Sequence, residues 1–246
     1  MQCEGAVRRL QDLRCRPGAR PPRTARVLRT AEPAVPVGGR ARKLRRDRLV
    51  SAHAGPAEIL LVRHALPEPD GTKDPALGEV GVAQARRLAD WLADERIDAC
   101  YSSHLKRAVQ TAEPVAASHG LTVVIDEGLR EWISAAPSYQ QVEQLDDPAR
   151  AAAWNEGRFE DFLPEHDADD LRANMVRTIR RIGLDHPGER IVAASHGGAS
   201  NTFLADVVGS SRRFFFNPGY TSISRLHVHA DGRFVLISIN ETAHVR

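Results

Sequence analysis

The spacing of apolar residues changes near residue 55, and from there two patterns take turns along the chain. Glu58–Val62 (EILLV) is a short continuous apolar run, the signature of a strand covered on both faces. Glu79–Glu95 places Val80, Ala83, Leu88, Trp91 and Leu92 at roughly helical spacing. Asp98–Tyr101 reads as a second strand and Leu121–Ile125 as a third. Leu105–Ala117 reads as a helix between them, N-capped by Ser102 or Ser103. Residues 132–165 keep neither period. With Trp132, Tyr139, Trp154 and Phe159–Phe162 among several acids, they read as an inserted helical segment over one end of the sheet. Leu171–Leu184 is a further helix, Arg190–Ala194 a strand and Gly198–Val208 a helix. Ser222–Val228 and Arg233–Ile239 alternate apolar with polar and join near Asp231-Gly232, a hairpin signal. Strands alternating with helices predict an α/β fold, a three-layer α/β/α sandwich with a mostly parallel central sheet. The final hairpin adds antiparallel strands at or near one edge.

Residues 1–55 have a different character. They hold 14 Lys+Arg against 4 Asp+Glu, a net +10, while the remainder holds 20 against 28, a net −8; the chain's formal +2 conceals this split. Pro-Gly, Pro-Pro and Gly-Gly breakers and the run ARKLRRDR leave no periodicity, and so charged a segment buries too little apolar surface to offset its ordering entropy. It is expected to be a disordered, Arg/Pro-rich N-terminal extension. A nucleic-acid arm is disfavoured because no aromatic is interleaved with the arginines to stack on bases. A transit peptide is disfavoured because the first serine is Ser51, and a signal peptide because no apolar h-region is present. The favoured reading is an extension without a catalytic role, such as translation begun upstream of the true start; deleting residues 1–52 is expected to leave catalysis intact.

No apolar run approaches the 18 or more residues of a spanning helix. The three cysteines, Cys3, Cys15 and Cys100, are scattered without metal-ligand spacing, which suits a reducing, cytoplasmic compartment and no disulfide framework.

In open α/β sheets ligands sit beyond the carboxyl ends of the strands. Two strands deliver histidine there: LLVRH ends in His64 and IVAASH in His196. Arg63 accompanies His64, and Arg107 lies in the first turn of a helix just past another strand. Two permanent cations and two imidazoles converging from three segments describe an anion site, since guanidinium forks match phosphate oxygens bidentately. Helix starts after Ser102-Ser103 and Gly197-Gly198 add N–H donors. Neutral imidazole is a nucleophile near pH 7, and the cations can stabilise charge on a phosphoryl group in transfer. A leaving alkoxide needs a proton, for which Glu131 in GLRE is the candidate. Taken singly each residue has a plainer reading: a satisfied polar strand end for either histidine, a solvated helix residue for Arg107, a partner of Arg130 for Glu131. Their matching topological positions favour the site. His227 and His229 share a face in HVH but lack a convincing third metal ligand. His104, His119, His166 and His186 read as surface residues. GxxxxGK[ST] and GxGxxG are both missing, so no nucleotide-binding loop is supported.

From about Glu58 to His244 the chain resembles the histidine phosphatase superfamily, also called the phosphoglycerate mutase-like family. LVRHA resembles its Arg-His-Gly signature, and SSHLKRAVQTAE its Ser-Ser-x-Leu-x-Arg-Ala-x-Gln-Thr-Ala segment. GLREW matches the stretch with the acid, ASHGG the second histidine segment, and INETAHV the closing Asn-x-Thr-x-His stretch, all in the family's order. The resemblance implies a histidine phosphatase domain over 56–246, with 132–165 as a helical cap. It implies that His64 becomes phosphohistidine, that Arg63, Arg107 and His196 hold the phosphoryl group, and that Glu131 is the proton donor; no metal or cofactor is implied. Departures are Ala65 for the usual glycine, Asp70 where many members have asparagine, Gly78 where threonine is common, and LPEPDG in place of Glu-Ser-x-x-Asn. An inward-pointing Asp70 carboxylate would repel phosphate.

The expected function is a phosphomonoester hydrolase for a small phosphorylated metabolite. The LPEPDG departure places it ahead of a 2,3-bisphosphoglycerate-dependent phosphoglycerate mutase. A non-catalytic phospho-ligand-binding protein is third, because no catalytic position is vacant. Trp132, Tyr139, Arg150 and Arg158 are the candidates for substrate selection. Oligomeric state is not legible in the sequence.

Overall fold

The computed structural model describes residues 55–131, 139, 148–156, 158 and 165–245. The N-terminal extension, Trp132, most of the cap and the side chain of Arg150 lie outside the described residues. Six strands and four helices were expected and are found in that order, and a fifth helix, Pro148–Asn155, lies within the segment expected to be a helical insertion.

The elements are β1 (Ala57–Arg63), α1 (Glu79–Leu92), β2 (Ala99–Ser102), α2 (Lys106–Ser118), β3 (Val123–Ile125), α3 (Pro148–Asn155), α4 (Glu165–Asp185), β4 (Arg190–Ser195), α5 (Gly197–Val208), β5 (Ile223–Val228) and β6 (Phe234–Glu241). The sheet order is β3-β2-β4-β1-β5-β6. Neighbours are parallel from β3 to β1, and β5 is antiparallel to both β1 and β6, so the hairpin forms one edge as expected.

β1 is apolar throughout because both its faces are covered. Successive strand side chains point to opposite faces. Ile59 and Leu61 pack with Met175, Ile179 and Phe203 of α4 and α5. Leu60 and Val62 pack with Leu88, Leu92, Ala112 and Val115 of α1 and α2. β4 divides the same way, Ile191 and Ala193 on one side, Val192 and Ala194 on the other. This is the three-layer α/β/α sandwich. Burying four large apolar side chains from β1 alone contributes on the order of 6–12 kcal/mol of gross transfer free energy.

Several boundaries differ from the sequence reading. α4 begins at Glu165, six residues before Leu171, because its first turns are polar and carry no periodic signal. α2 has Leu105 as N-cap, not Ser102 or Ser103. Ser102 donates instead to the Ser103 carbonyl, and the Lys106 N–H is received by the Asp74 carboxylate at 2.9 Å. His186 is half-buried rather than a surface residue, bonded to the Tyr101 hydroxyl and the Glu189 carboxylate. The His227 and His229 rings stand 6.4 Å apart, and no group of three or more metal-ligating side chains occurs among the described residues. No helix among them is long and apolar enough to cross a membrane.

Candidate active site

Strand register sets the site. β1 and β4 run parallel with Arg63 opposite Ser195, and the His64 N–H donates to the Ser195 carbonyl at 2.9 Å. The next residues on each chain, His64 and His196, therefore sit at one height, their ring centroids 5.1 Å apart. The strand's alternation then separates Arg63 from His64. Arg63 leans towards the start of α5, where a Cβ on Gly197 would come within 3.4 Å of its Nε. His64 leans towards the start of α2, where the Arg107 Nε–H donates to its Nε2 at 3.3 Å. Arg63, His64, Arg107 and His196 are 6%, 2%, 3% and 0% exposed. Four basic side chains at this depth are costly without an anionic ligand or dedicated acceptors.

The hydrogen bonds define the tautomer of His64. Its Nδ1 lies 2.8 Å from the Ala65 carbonyl, which can only accept, so Nδ1 carries the proton. Nε2 is then the lone-pair nitrogen, the one that Arg107 meets. Burial, followed by the Arg107 and Arg63 charges, pushes the His64 imidazole well below its ordinary pKa. Burial, then the Arg107 charge and His64, does the same to His196. Both rings are neutral at physiological pH, as a nucleophile and its neighbour must be.

Each group is held by specific partners. The Thr111 hydroxyl accepts the Ala65 N–H at 2.9 Å and donates to the Arg107 carbonyl at 2.6 Å. His196 Nε2 pairs with Ser103 Oγ at 2.9 Å. The Arg63 Nη1 donates to the Pro218 carbonyl at 2.6 Å, and its guanidinium lies 3.9 Å over the Tyr220 ring. Arg107 faces the Asp74 carboxylate at 3.5 Å and stacks 4.7 Å from the Tyr139 ring. Glu131 Oε2 accepts the Gly198 N–H at 2.9 Å at the N-terminus of α5. Its charge acts on Arg107, which places it beside the cluster.

All five residues singled out from the sequence thus meet beyond the carboxyl ends of the central strands β1 and β4. Asp74, Ser103, Thr111, Pro218 and Tyr220 were not assigned to the site; Ser103 and Thr111 each stand four residues from Arg107 in one motif, which could have signalled them, while Asp74, Pro218 and Tyr220 carry no local signal. Tyr139 is over Arg107, while Arg158 is exposed and paired with Glu156. The Asp70 carboxylate is exposed and taken up by the Thr72 N–H and hydroxyl, which removes the repulsion its inward placement would cause. Ala65 fits, fully buried. Gly78, as N-cap of α1, provides no side-chain cap, which a threonine there could supply.

A sequence profile of the histidine phosphatase superfamily (branch 1) matches residues 59–242. Phosphoglycerate mutase-like protein 4 of Arabidopsis thaliana is 34% identical over 170 residues, 64% of this chain and 74% of that protein. Phosphoserine phosphatase 1 of Hydrogenobacter thermophilus is 27% identical, over 76% of this chain and 94% of its own length. The fold is shared with the phosphoserine phosphatase of Entamoeba histolytica solved with 3-phosphoglyceric acid, at 22% identity and a TM-score of 0.62, covering 77% of this chain and all of the other.

Proposed function

The chain belongs to branch 1 of the histidine phosphatase superfamily, and on that premise we propose that it hydrolyses phosphomonoesters of small metabolites through a phosphohistidine at His64. One observation carries the reading. The Nδ1 proton of His64 is committed to the Ala65 carbonyl, so the Nε2 lone pair faces a cluster of buried cationic groups. That is a nucleophile with its protonation state fixed before substrate arrives.

In the first step Nε2 bonds to phosphorus as the ester P–O bond breaks, and the leaving oxygen takes a proton from Glu131, whose carboxylate takes up that proton when the substrate dianion binds beside it. Arg63 and Arg107 stabilise the equatorial oxygens, and His196 offers its buried Nδ1, which has no hydrogen-bond partner among the described residues. In the second step water bonds to phosphorus, the P–N bond breaks, and Glu131 recovers a proton from the water. His64 returns to the neutral tautomer. Site residues all lie beyond residue 55, which supports 56–246 as the catalytic domain.

Relatives named as phosphoserine phosphatases, and a neighbour solved with 3-phosphoglyceric acid, favour phosphate esters next to a carboxylate as first substrates. The test is phosphate release from p-nitrophenyl phosphate, phosphoserine and 3-phosphoglycerate. Hydrolysis is expected. Isomerisation of 3-phosphoglycerate dependent on 2,3-bisphosphoglycerate would replace the reading with a mutase, and neither reaction would leave a binding protein.

A further inference from the structure

Arg63 is oriented by two residues of one short segment, Asn217–Thr221 (NPGYT). The Pro218 carbonyl receives its Nη1 and the Tyr220 face lies under its guanidinium. A carbonyl and an aromatic face aim a cation without neutralising it. What holds the segment itself comes from the region following β5. We propose that Asn240 and His244 are positioning residues of the phosphate site, acting on Arg63 through this segment.

Asn240 spans the first half. Its Oδ1 accepts the Gly219 N–H at 2.8 Å and its Nδ2 donates to the Asn217 carbonyl at 3.1 Å, on either side of Pro218. His244 holds the second half. Its Nε2 lies 3.0 Å from the Thr221 carbonyl, an acceptor only, so Nε2 donates there. The Thr221 N–H donates back to the Arg63 carbonyl at 3.1 Å, joining the segment to the end of β1. Tyr220 is thus fixed from one side by Asn240 through Gly219 and from the other by His244 through Thr221.

Backbone strain gathers at the same place. Thr221 (φ +58°) and Asn240 (φ +55°) are the non-glycine residues with positive φ among those described. Asparagine tolerates this region, but a β-branched threonine does not adopt it without compensation. Thr221 is completely buried, and its carbonyl and hydroxyl both lie within hydrogen-bond reach of His244. A loop needed only to join α5 to β5 would have no reason to adopt this conformation. A loop needed to bring a carbonyl and a ring to one guanidinium would.

The inference rests on the phosphate site proposed above, and the test separates the two. Binding of inorganic phosphate is measured by calorimetry for the full chain and for Asn240→Ala, His244→Ala, His244→Gln and Asn240→Asp, each with and without Arg63→Ala, alongside melting curves. Asn240→Ala and His244→Ala should each weaken phosphate roughly tenfold when Arg63 is present, and by less than about twofold in the Arg63→Ala background. His244→Gln, which can still present an N–H to the Thr221 carbonyl, should bind within about threefold of the parent, and Asn240→Asp, which keeps the acceptor for Gly219 but loses the donor to the Asn217 carbonyl, should fall between the parent and Asn240→Ala. These conservative variants keep the test open if an alanine variant fails to fold. Equal losses with and without Arg63, or unchanged affinity in both alanine variants, would overturn the inference. A parent that binds phosphate with this coupling but hydrolyses no phosphomonoester would overturn the hydrolase reading alone. A hydrolase with additive losses would overturn the positioning role alone, and a parent that binds no phosphate would overturn both.

Discussion

Thr111→Val is the most economical probe of how the nucleophile is held. Valine keeps the shape of threonine and removes the hydroxyl that accepts the Ala65 N–H at 2.9 Å. The Arg107 carbonyl, which the same hydroxyl reaches at 2.6 Å, lies inside α2 and keeps its helical N–H partner. The loss is therefore one orphaned amide. Ala65 and Thr111 are both wholly buried, so water cannot take the hydroxyl's place. A buried unsatisfied N–H costs about 1–3 kcal/mol, which for a domain of this size lowers Tm by roughly 2–12 °C. Ala65 also carries the carbonyl that fixes the His64 tautomer, so its displacement reaches the chemistry. We expect kcat on p-nitrophenyl phosphate to fall about tenfold, the equivalent of about 1.4 kcal/mol in the barrier. Thr111→Ser keeps the hydroxyl and loses a methyl group, at about 1 kcal/mol of stability, with kcat within about twofold. A Thr111→Val enzyme matching the parent in both Tm and kcat would refute the role of this bond.

Other perturbations reach other parts of the site. His64 and His196 both titrate below the ordinary 6.5, so between 6.5 and their folded values the unfolded chain binds more protons than the folded one. Their contribution is complete above about pH 6.5 and is lost as pH falls below it, at up to about 1.4 kcal/mol per histidine per pH unit. Urea unfolding should show that loss between pH 6.5 and 5, with imidazole NMR signals showing no midpoint for either ring at or above 6.5; a midpoint there would contradict the assignment. Asp74→Asn preserves an oxygen for the Lys106 N–H and removes a charge 3.5 Å from Arg107. It should tighten inorganic phosphate about fivefold, on a Coulomb term of about 1 kcal/mol at a solvent-accessible carboxylate, and unchanged or weaker binding would mean that Asp74 supports Arg107 productively. Glu131→Gln should slow alkyl phosphates about 100-fold or more and p-nitrophenyl phosphate far less, because a good leaving group needs no proton. Equal slowing would remove Glu131 as the donor.

The legible parts of this fold are those where one physical constraint acts alone. β1 and β4 stand out because burial on both faces demands unbroken apolar runs, and their polar ends, Arg63-His64 and Ser195-His196, are then conspicuous. The first turns of α4 are hidden because solvated helix residues carry no period. Ser103 was visible as a cap candidate, and its hydroxyl does accept the Leu105 N–H at 3.3 Å, but it also serves His196, while a distant carboxylate, Asp74, takes up the Lys106 N–H. Pro218 and Tyr220 enter the site only through topology, and so does the contact of Thr111 with Ala65, although Thr111 stands one helical turn from Arg107. α2 packs against β2 and β4, the latter paired with β1, and β5 pairs with β1 on its other side, so residues 46 and more than 150 positions away come to Ala65 and Arg63. Asn240 and His244 stood in a recognisable stretch, but their action on Arg63 depends on hydrogen bonds across the sheet edge that no local pattern encodes.

The covalent intermediate offers the most direct test. Enzyme mixed with a ³²P-labelled phosphomonoester, quenched in alkali and mapped by peptide should carry acid-labile label on His64 alone. His64→Ala should carry none and turn over nothing. Label persisting in that variant, or residing on His196 in the parent, would show that a different atom attacks phosphorus.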